Sequence, residues 1–157
     1  MARPTNFQNS RSQGYIPSTS ARVARFPLSS APTGVTQAVS TSAGSPTLVH
    51  TFSTDISAIE ELYLYASNYG ATDADLTMSI ATSIGTAFTG GNQIITPTVK
   101  EGGLTLFYPG IPHQAQGNAL NVYVLAAGAA TLNVGGYVVR YYPIDWENSA
   151  RSGFYSE

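Results

Sequence analysis

The sequence predicts an all-β domain, an antiparallel sandwich or barrel, with a long extended N-terminal arm. Three observations carry this. The stretch 104–142 holds three apolar segments rich in Val, Leu, Tyr and Phe, punctuated by Pro109-Gly110, Gly117-Asn118 and Gly128, the composition and spacing of strands joined by turns. Seven or eight such segments follow one another from residue 47 onward, with turns at the roughly 8–12-residue spacing of sandwiches and barrels. Residues 1–45, in contrast, show neither a helical nor a strand period.

The arm, residues 1–45, is built of Ser, Thr, Ala, Gly, Pro, Gln and Arg, with solitary apolar residues. Pro4, Pro17, Pro27 and Pro32 favour extended chain over helix. Spaced anchors such as Phe7, Tyr15 and Phe26 suit a strap that orders as it binds a partner surface. Residues 1–54 carry Arg3, Arg11, Arg22 and Arg25 and no carboxylate, whereas residues 55–157 set three cations against nine carboxylates. A basic arm on an acidic body is an interaction pattern. Arg pairs with carboxylates in planar, bidentate fashion, so the arginines are assigned to protein contacts and nucleic acid is disfavoured. The candidate partner-binding residues are therefore Arg3, Phe7, Arg11, Tyr15, Arg22, Arg25 and Phe26.

The sandwich domain is expected over residues 46–143. Thr47–Ser53 reads as a strand with Leu48, His50 and Phe52 on one face, followed by a connection in which Ile56, Ile59 and Glu60 have the spacing of a helical turn. Glu61–Ser67 alternates Leu62, Leu64 and Ala66 against Tyr63 and Tyr65. Ala74–Thr82 alternates Leu76, Met78 and Ile80 against Thr77, Ser79 and Ala81. A Gly-rich excursion over 85–92 leads to Ile94–Val99, an edge strand because it contains Pro97. Leu104–Tyr108 is a strand with Leu104 and Leu106 inward, and 110–118 a loop containing His113. In 119–127, Leu120, Val122 and Val124 oppose Tyr123 and Leu125. The last strand, Thr131–Tyr142, contains Gly135-Gly136, where a bulge is expected. Residues 144–157 form a docking tail with Trp146, Phe154 and Tyr155.

Both faces of the central strands are apolar, so one face needs cover from another layer or subunit. Only 10% of residues are charged, against about 25% in typical soluble domains, and aromatics reach 11%. A monomer so poor in charge is weakly protected against association. The expected assembly is a homo-oligomer, a trimer or similar closed ring, with Tyr63, Tyr65, Tyr123 and Leu125 at the interface.

Catalytic chemistry finds little to stand on. His50 and His113 are the only imidazoles, and there is no Cys. No Ser lies in a G-x-S-x-G context. Asp73-x-Asp75 is too sparse for a calcium loop, and Glu60-Glu61 point to opposite sides of a strand. The Gly pairs lack the Lys and helix of a phosphate loop. No catalytic residue, metal ligand or cofactor is assigned. No apolar run is long enough to span a bilayer, and residues 1–14 lack the hydrophobic segment of a signal peptide.

The succession ELYLYASN, ADLTMSIA, ITPTVKEGGLTLFYPGI, HQAQGN and ALNVYVLAAGAATLNVGGYVVRY resembles the small, often jelly-roll-like β-sandwich modules of tailed-bacteriophage structural proteins. The pattern covers residues 47–142, with Tyr108–Ala126 and Asn133–Arg140 matching the module's characteristic closing segments. No single residue is diagnostic, so none is carried over as functional. The resemblance implies a jelly-roll-like sandwich and a virion component, assembled in the host cytoplasm, with the major capsid protein or other virion subunits as partners. A capsid decoration (cement) protein is the first expectation. A neck or tail adaptor, a fibre-attachment protein, or a receptor- or glycan-binding module using the His113 loop are the alternatives.

Overall fold

The computed structural model describes residues 23–56, 58–89, 93–114, 117–128 and 131–141. These form ten strands: β1 Ala24–Pro27, β2 Gln37–Ala38, β3 Thr47–Thr51, β4 Ile59–Asn68, β5 Ala74–Ala81, β6 Gln93–Ile95, β7 Thr98–Val99, β8 Leu104–Gln114, β9 Asn121–Ala126 and β10 Leu132–Tyr141. The described residues contain no α-helix, only a 3-10 turn at Ile84–Thr86.

Two antiparallel sheets pack face to face. The first has the order β1-β10-β4-β8, with β2 also paired to β10, and the second β3-β9-β5-β6, with β7 also paired to β5. Apart from the short neighbours β1/β2 and β5/β6/β7, successive strands alternate between the sheets. If β1/β2 and β6/β7 are each counted as one interrupted strand, eight strands remain in the jelly-roll connectivity. The inward side chains of β4, β5, β9 and β10 meet between the sheets, and Leu62, Leu64, Leu76, Met78, Val122, Val124, Leu132, Val134 and Val138 are fully buried there. The alternation expected on β4, β5 and β9 is the alternation found.

Four expectations are corrected. Leu104 and Leu106 are exposed rather than inward. On β8 the register with β4 shifts twice, leaving Phe107 and Gly110 as extra residues between paired positions. The extra residue inverts the parity upstream of it, so Phe107 and Tyr108 are both buried while Leu106 opposes outward Tyr65. The same device acts on β3, where a shift between Leu48 and His50 buries Val49 and His50 and turns Leu48 out. The bulge expected at Gly135-Gly136 is absent, since β10 pairs with β4 without a break from Leu132 to Tyr141. Those glycines serve close approach instead: a Cβ on Gly136 would stand 2.0 Å from the Tyr63 carbonyl oxygen, and one on Gly135 would stand 2.8 Å from Thr36 Cγ2.

The fourth correction concerns the arm. Residues 23–45 belong to the sandwich. β1 and β2 pair with β10, and Leu28, Ala31 and Val39 lie in the core. A hydrogen bond from the Ser30 hydroxyl to the Val49 carbonyl, and one from the Thr51 amide to the Ser29 hydroxyl oxygen (2.7 Å), fasten this segment to β3. The expected arm residues 1–22 and tail residues 144–157 lie outside the described residues.

Strand edges are blunted. The outer edge of the first sheet is β8, which carries Pro109 and Pro112, and the opposite edge, β1, ends in Pro27. Prolines lack the amide that another strand would need.

Candidate interaction surface

The two outward faces differ in how they are finished. On the second sheet, Ser79, Ala81 and Tyr123 point away from the core, and the chain's own connection after β5 folds back over them. Ala87 and Phe88 pack on Tyr123 and Ala81, and the Ser79 hydroxyl donates to the Ala87 carbonyl. Tyr123 is thereby only 7% exposed. The cover that the sequence sought from another subunit is supplied here within the chain. Leu125 remains half-buried on this side.

The first sheet has no such cover among the described residues. Tyr63, Tyr65, Tyr137 and Tyr141 point outward with Leu104, Leu106, Pro109 and Pro112. Leu104 is 71% and Leu106 46% exposed. The tyrosines are organised as a stack across the strands. The rings of Tyr63 and Tyr137 lie 4.9 Å apart at 13°. The Arg25 guanidinium sits 5.2 Å from the Tyr137 ring centre. On the far side, a Cβ on Gly110 (φ +79°) would fall 2.2 Å from the Tyr63 ring, so the second β8 bulge supplies the one residue type that lets the ring lie flat. The Tyr63 hydroxyl donates to Glu61 Oε2 at 3.1 Å and the Tyr141 hydroxyl to Oε1 at 3.4 Å. The hydrogen bond to Glu61, followed by burial, raises the Tyr63 pKa. Burial and the Glu61 charge raise that of Tyr141.

The four expected interface residues therefore do not share a surface. Tyr63 and Tyr65 lie on the outer face of the first sheet, Tyr123 and Leu125 on that of the second. Of the expected partner-binding residues, Arg25 and Phe26 are in β1. Arg25 caps the tyrosine stack, and Phe26, 40% exposed, lies under the Arg140 guanidinium at 4.9 Å. Arg3, Phe7, Arg11, Tyr15 and Arg22 fall outside the described residues.

A polar cluster closes one end of the core. Glu60, 2% exposed, accepts from Arg140 Nε at 2.6 Å, from the Ser53 amide at 2.9 Å and from His50 Nε2 at 3.4 Å, with Arg140 Nη2 in ion-pair contact at 2.5 Å. The Ser29 amide donates to His50 Nδ1 at 3.2 Å, which assigns the ring proton to Nε2. Burial pushes the Glu60 pKa up, but the bonds from His50, Ser53 and Arg140 outweigh it and hold the carboxyl below its ordinary value. His113 is not on a loop. It lies on the extended β8 opposite Glu60, its Nε2 2.5 Å from the Tyr108 hydroxyl and its ring 4.7 Å from that of Phe52. Burial lowers its pKa, partly offset by Glu60. The hollow between Phe52, Glu60, His113 and Leu120 has a volume of about 10 Å³, room for a single water. This is the geometry of a buried ion pair fixing the ends of β3, β4, β8 and β10.

Asp73 and Asp75 are engaged internally, Asp73 by Lys100 Nζ (2.5 Å) and the Glu101 amide, and Asp75 by the Thr98 hydroxyl (2.6 Å). No group of three or more potential metal ligands occurs among the described residues.

Sequence reasoning missed Tyr137 and the Glu60–Arg140 pair. The signal for Glu60 was its parity with Leu62 and Leu64. Its partner lies eighty residues away, beyond the reach of local periodicity.

Comparison with protein-family models, curated proteins and solved structures returned no match.

Proposed function

We propose that this chain is a non-enzymatic structural protein of a virion, a capsid decoration (cement) protein that attaches to the shell lattice through residues 1–22 and the outer face of the first sheet. The observation that carries this reading is the asymmetry of the sandwich. One outward face is finished by the chain's own connection. The other is a tyrosine- and leucine-rich wall carrying almost no charge, of the kind that marks a protein-binding surface. The sequence resemblance to phage sandwich modules supplies the setting, with the major capsid protein as the partner. The neck or tail adaptor and the fibre-attachment reading share this surface and differ in location. The receptor- or glycan-binding reading is weakened, because His113 is half-buried and hydrogen-bonded to Tyr108.

The test is to add tagged full-length protein and a variant lacking residues 1–22 to particles stripped of the native copy. Deletion must stop there, because Leu28 is a core residue. The truncated form should keep its fold and lose occupancy, and equal occupancy would refute the role of the arm. Many copies over the shell identify cement. A few copies at one vertex identify an adaptor or fibre protein.

A further inference from the structure

We infer that the outer face of the first sheet is a self-association surface, and that a second copy of this chain packs against it face to face. This contact takes the face named above for lattice attachment, so where two copies pack, attachment to the shell falls to residues 1–22, and the sedimentation experiment below decides the occupant independently of a virion location.

The choice of face follows from what each surface already has. The second sheet's outer face carries the chain's own connection over Tyr123 and Ala81. The edges of the first sheet, β1 and β8, carry Pro27, Pro109 and Pro112, so this sheet is placed to associate through its face rather than by strand addition. What remains is the wall built on β4, β8 and β10.

The choice of occupant follows from charge and area. Among the outward positions paired across β1, β10, β4 and β8, the charged residues are Arg25 and Glu61. Both align with Val139, so they share one row across the sheet. The wall is neutral as a unit, and two copies meet without net repulsion. A partner surface of ordinary charge density would have to bury ions against tyrosine and leucine without partners, which is costly. A copy of the same wall brings only Arg25 and Glu61, whose opposite charges can pair across the contact. Three strands of ten or eleven residues at about 3.3 Å rise and 4.8 Å spacing present roughly 500 Å². Two copies together bury roughly 1,000 Å², the size at which a specific interface becomes tenable. Two sheets stacked about 10 Å apart form a layer like the one already between the sheets of the sandwich. The contact is isologous, so its product is a dimer, and the trimer expected from the sequence is set aside.

The experiment is sedimentation of the full chain over a concentration series, alongside Leu106→Arg and Leu48→Arg. Both leucines are exposed, so neither substitution disturbs the core. Leu106 lies on the proposed contact and Leu48 on the second sheet. The wild type and Leu48→Arg should sediment as dimers. Leu106→Arg should weaken the dimer by about a hundredfold or more, with an unchanged circular dichroism spectrum. A monomer at every concentration, a trimer, or a dimer indifferent to Leu106→Arg would overturn the proposal. So would a monomer that dimerises only after deletion of residues 142–157, since the cover would then be the chain's own C-terminal segment.

Discussion

Replacing Arg140 with Met should destabilise the fold by about 2–3 kcal/mol at neutral pH. Glu60 has three hydrogen bonds and one further ion-pair contact, and one bond and that contact come from Arg140. Without the guanidinium, a carboxylate that is 2% exposed keeps only the Ser53 amide and the long contact to His50. Removing one member of a fully buried ion pair typically costs about 3–5 kcal/mol. The Arg140 side chain is 27% exposed, so water reaches the gap and the cost falls below that range. The loss of packing over Phe26 adds a smaller share. Urea denaturation of Arg140→Met, Glu60→Met and the double mutant separates these terms. The double mutant leaves no buried charge, so it should be more stable than either single change would suggest, with a coupling of about 2 kcal/mol. If Arg140→Met alone costs under about 0.5 kcal/mol, or if the two losses simply add, then Glu60 is not held by Arg140 and the cluster is not an ion pair in solution.

Acid should destabilise the fold in two steps. His113 and Glu60 both have pKa values lowered in the folded state from ordinary values of 6.5 and 4.5. Each stabilises fully above its unfolded value and loses that contribution as pH falls through the folded one. Thermal midpoints should therefore decline first below pH 6.5 and again below pH 4.5, and His113→Phe should remove the first decline. Leu64→Ala and Val122→Ala should each cost about 2–4 kcal/mol, whereas Leu106→Ala, measured at concentrations where the chain is monomeric, should fall within about 0.5 kcal/mol. Equal losses measured by chemical denaturation would overturn the parity assigned to β8. Gly110→Ala should cost about 1–3 kcal/mol, through its positive φ and the Tyr63 ring above it, and should shift the Tyr63 ring signals in an NMR spectrum.

What could be read in the sequence was whatever local alternation determines. On β4 the side chains of Leu62, Leu64 and Ala66 repeat at two residues over an unbroken ladder, and the inward face follows from that spacing alone. On β8 and β3 one extra residue resets the alternation, and neither Phe107 nor Val49 carries a glycine or proline mark that would announce it. Leu28, Ala31 and Val39 had no legible role because each stands alone among turn-forming residues, and a period cannot be drawn through single points. Arg25 and Phe26 were read by type as partner contacts of an arm, whereas the structure sets both in β1 against residues of the same chain. Their neighbours Tyr137 and Arg140 depend on a pairing between β1 and β10 more than a hundred residues apart. The division of the tyrosines between two opposite faces was hidden for the same reason: strand parity says which residues share a side, and sheet membership says which sides share a surface.

The pairing of β1 with β10 has a mechanical consequence. Ala24 stands opposite Arg140 and Pro27 opposite Tyr137, so the start of β1 and the end of β10 lie side by side at one end of the sandwich. A load applied between residues 23 and 141 pulls perpendicular to the strands, and it meets the rungs of that ladder one after another rather than all together. Such a seam peels under small force. The first element to yield would be the four residues of β1, and the next to be drawn out would be Leu28, so a pull on the two ends opens the core from its margin before any other strand has moved.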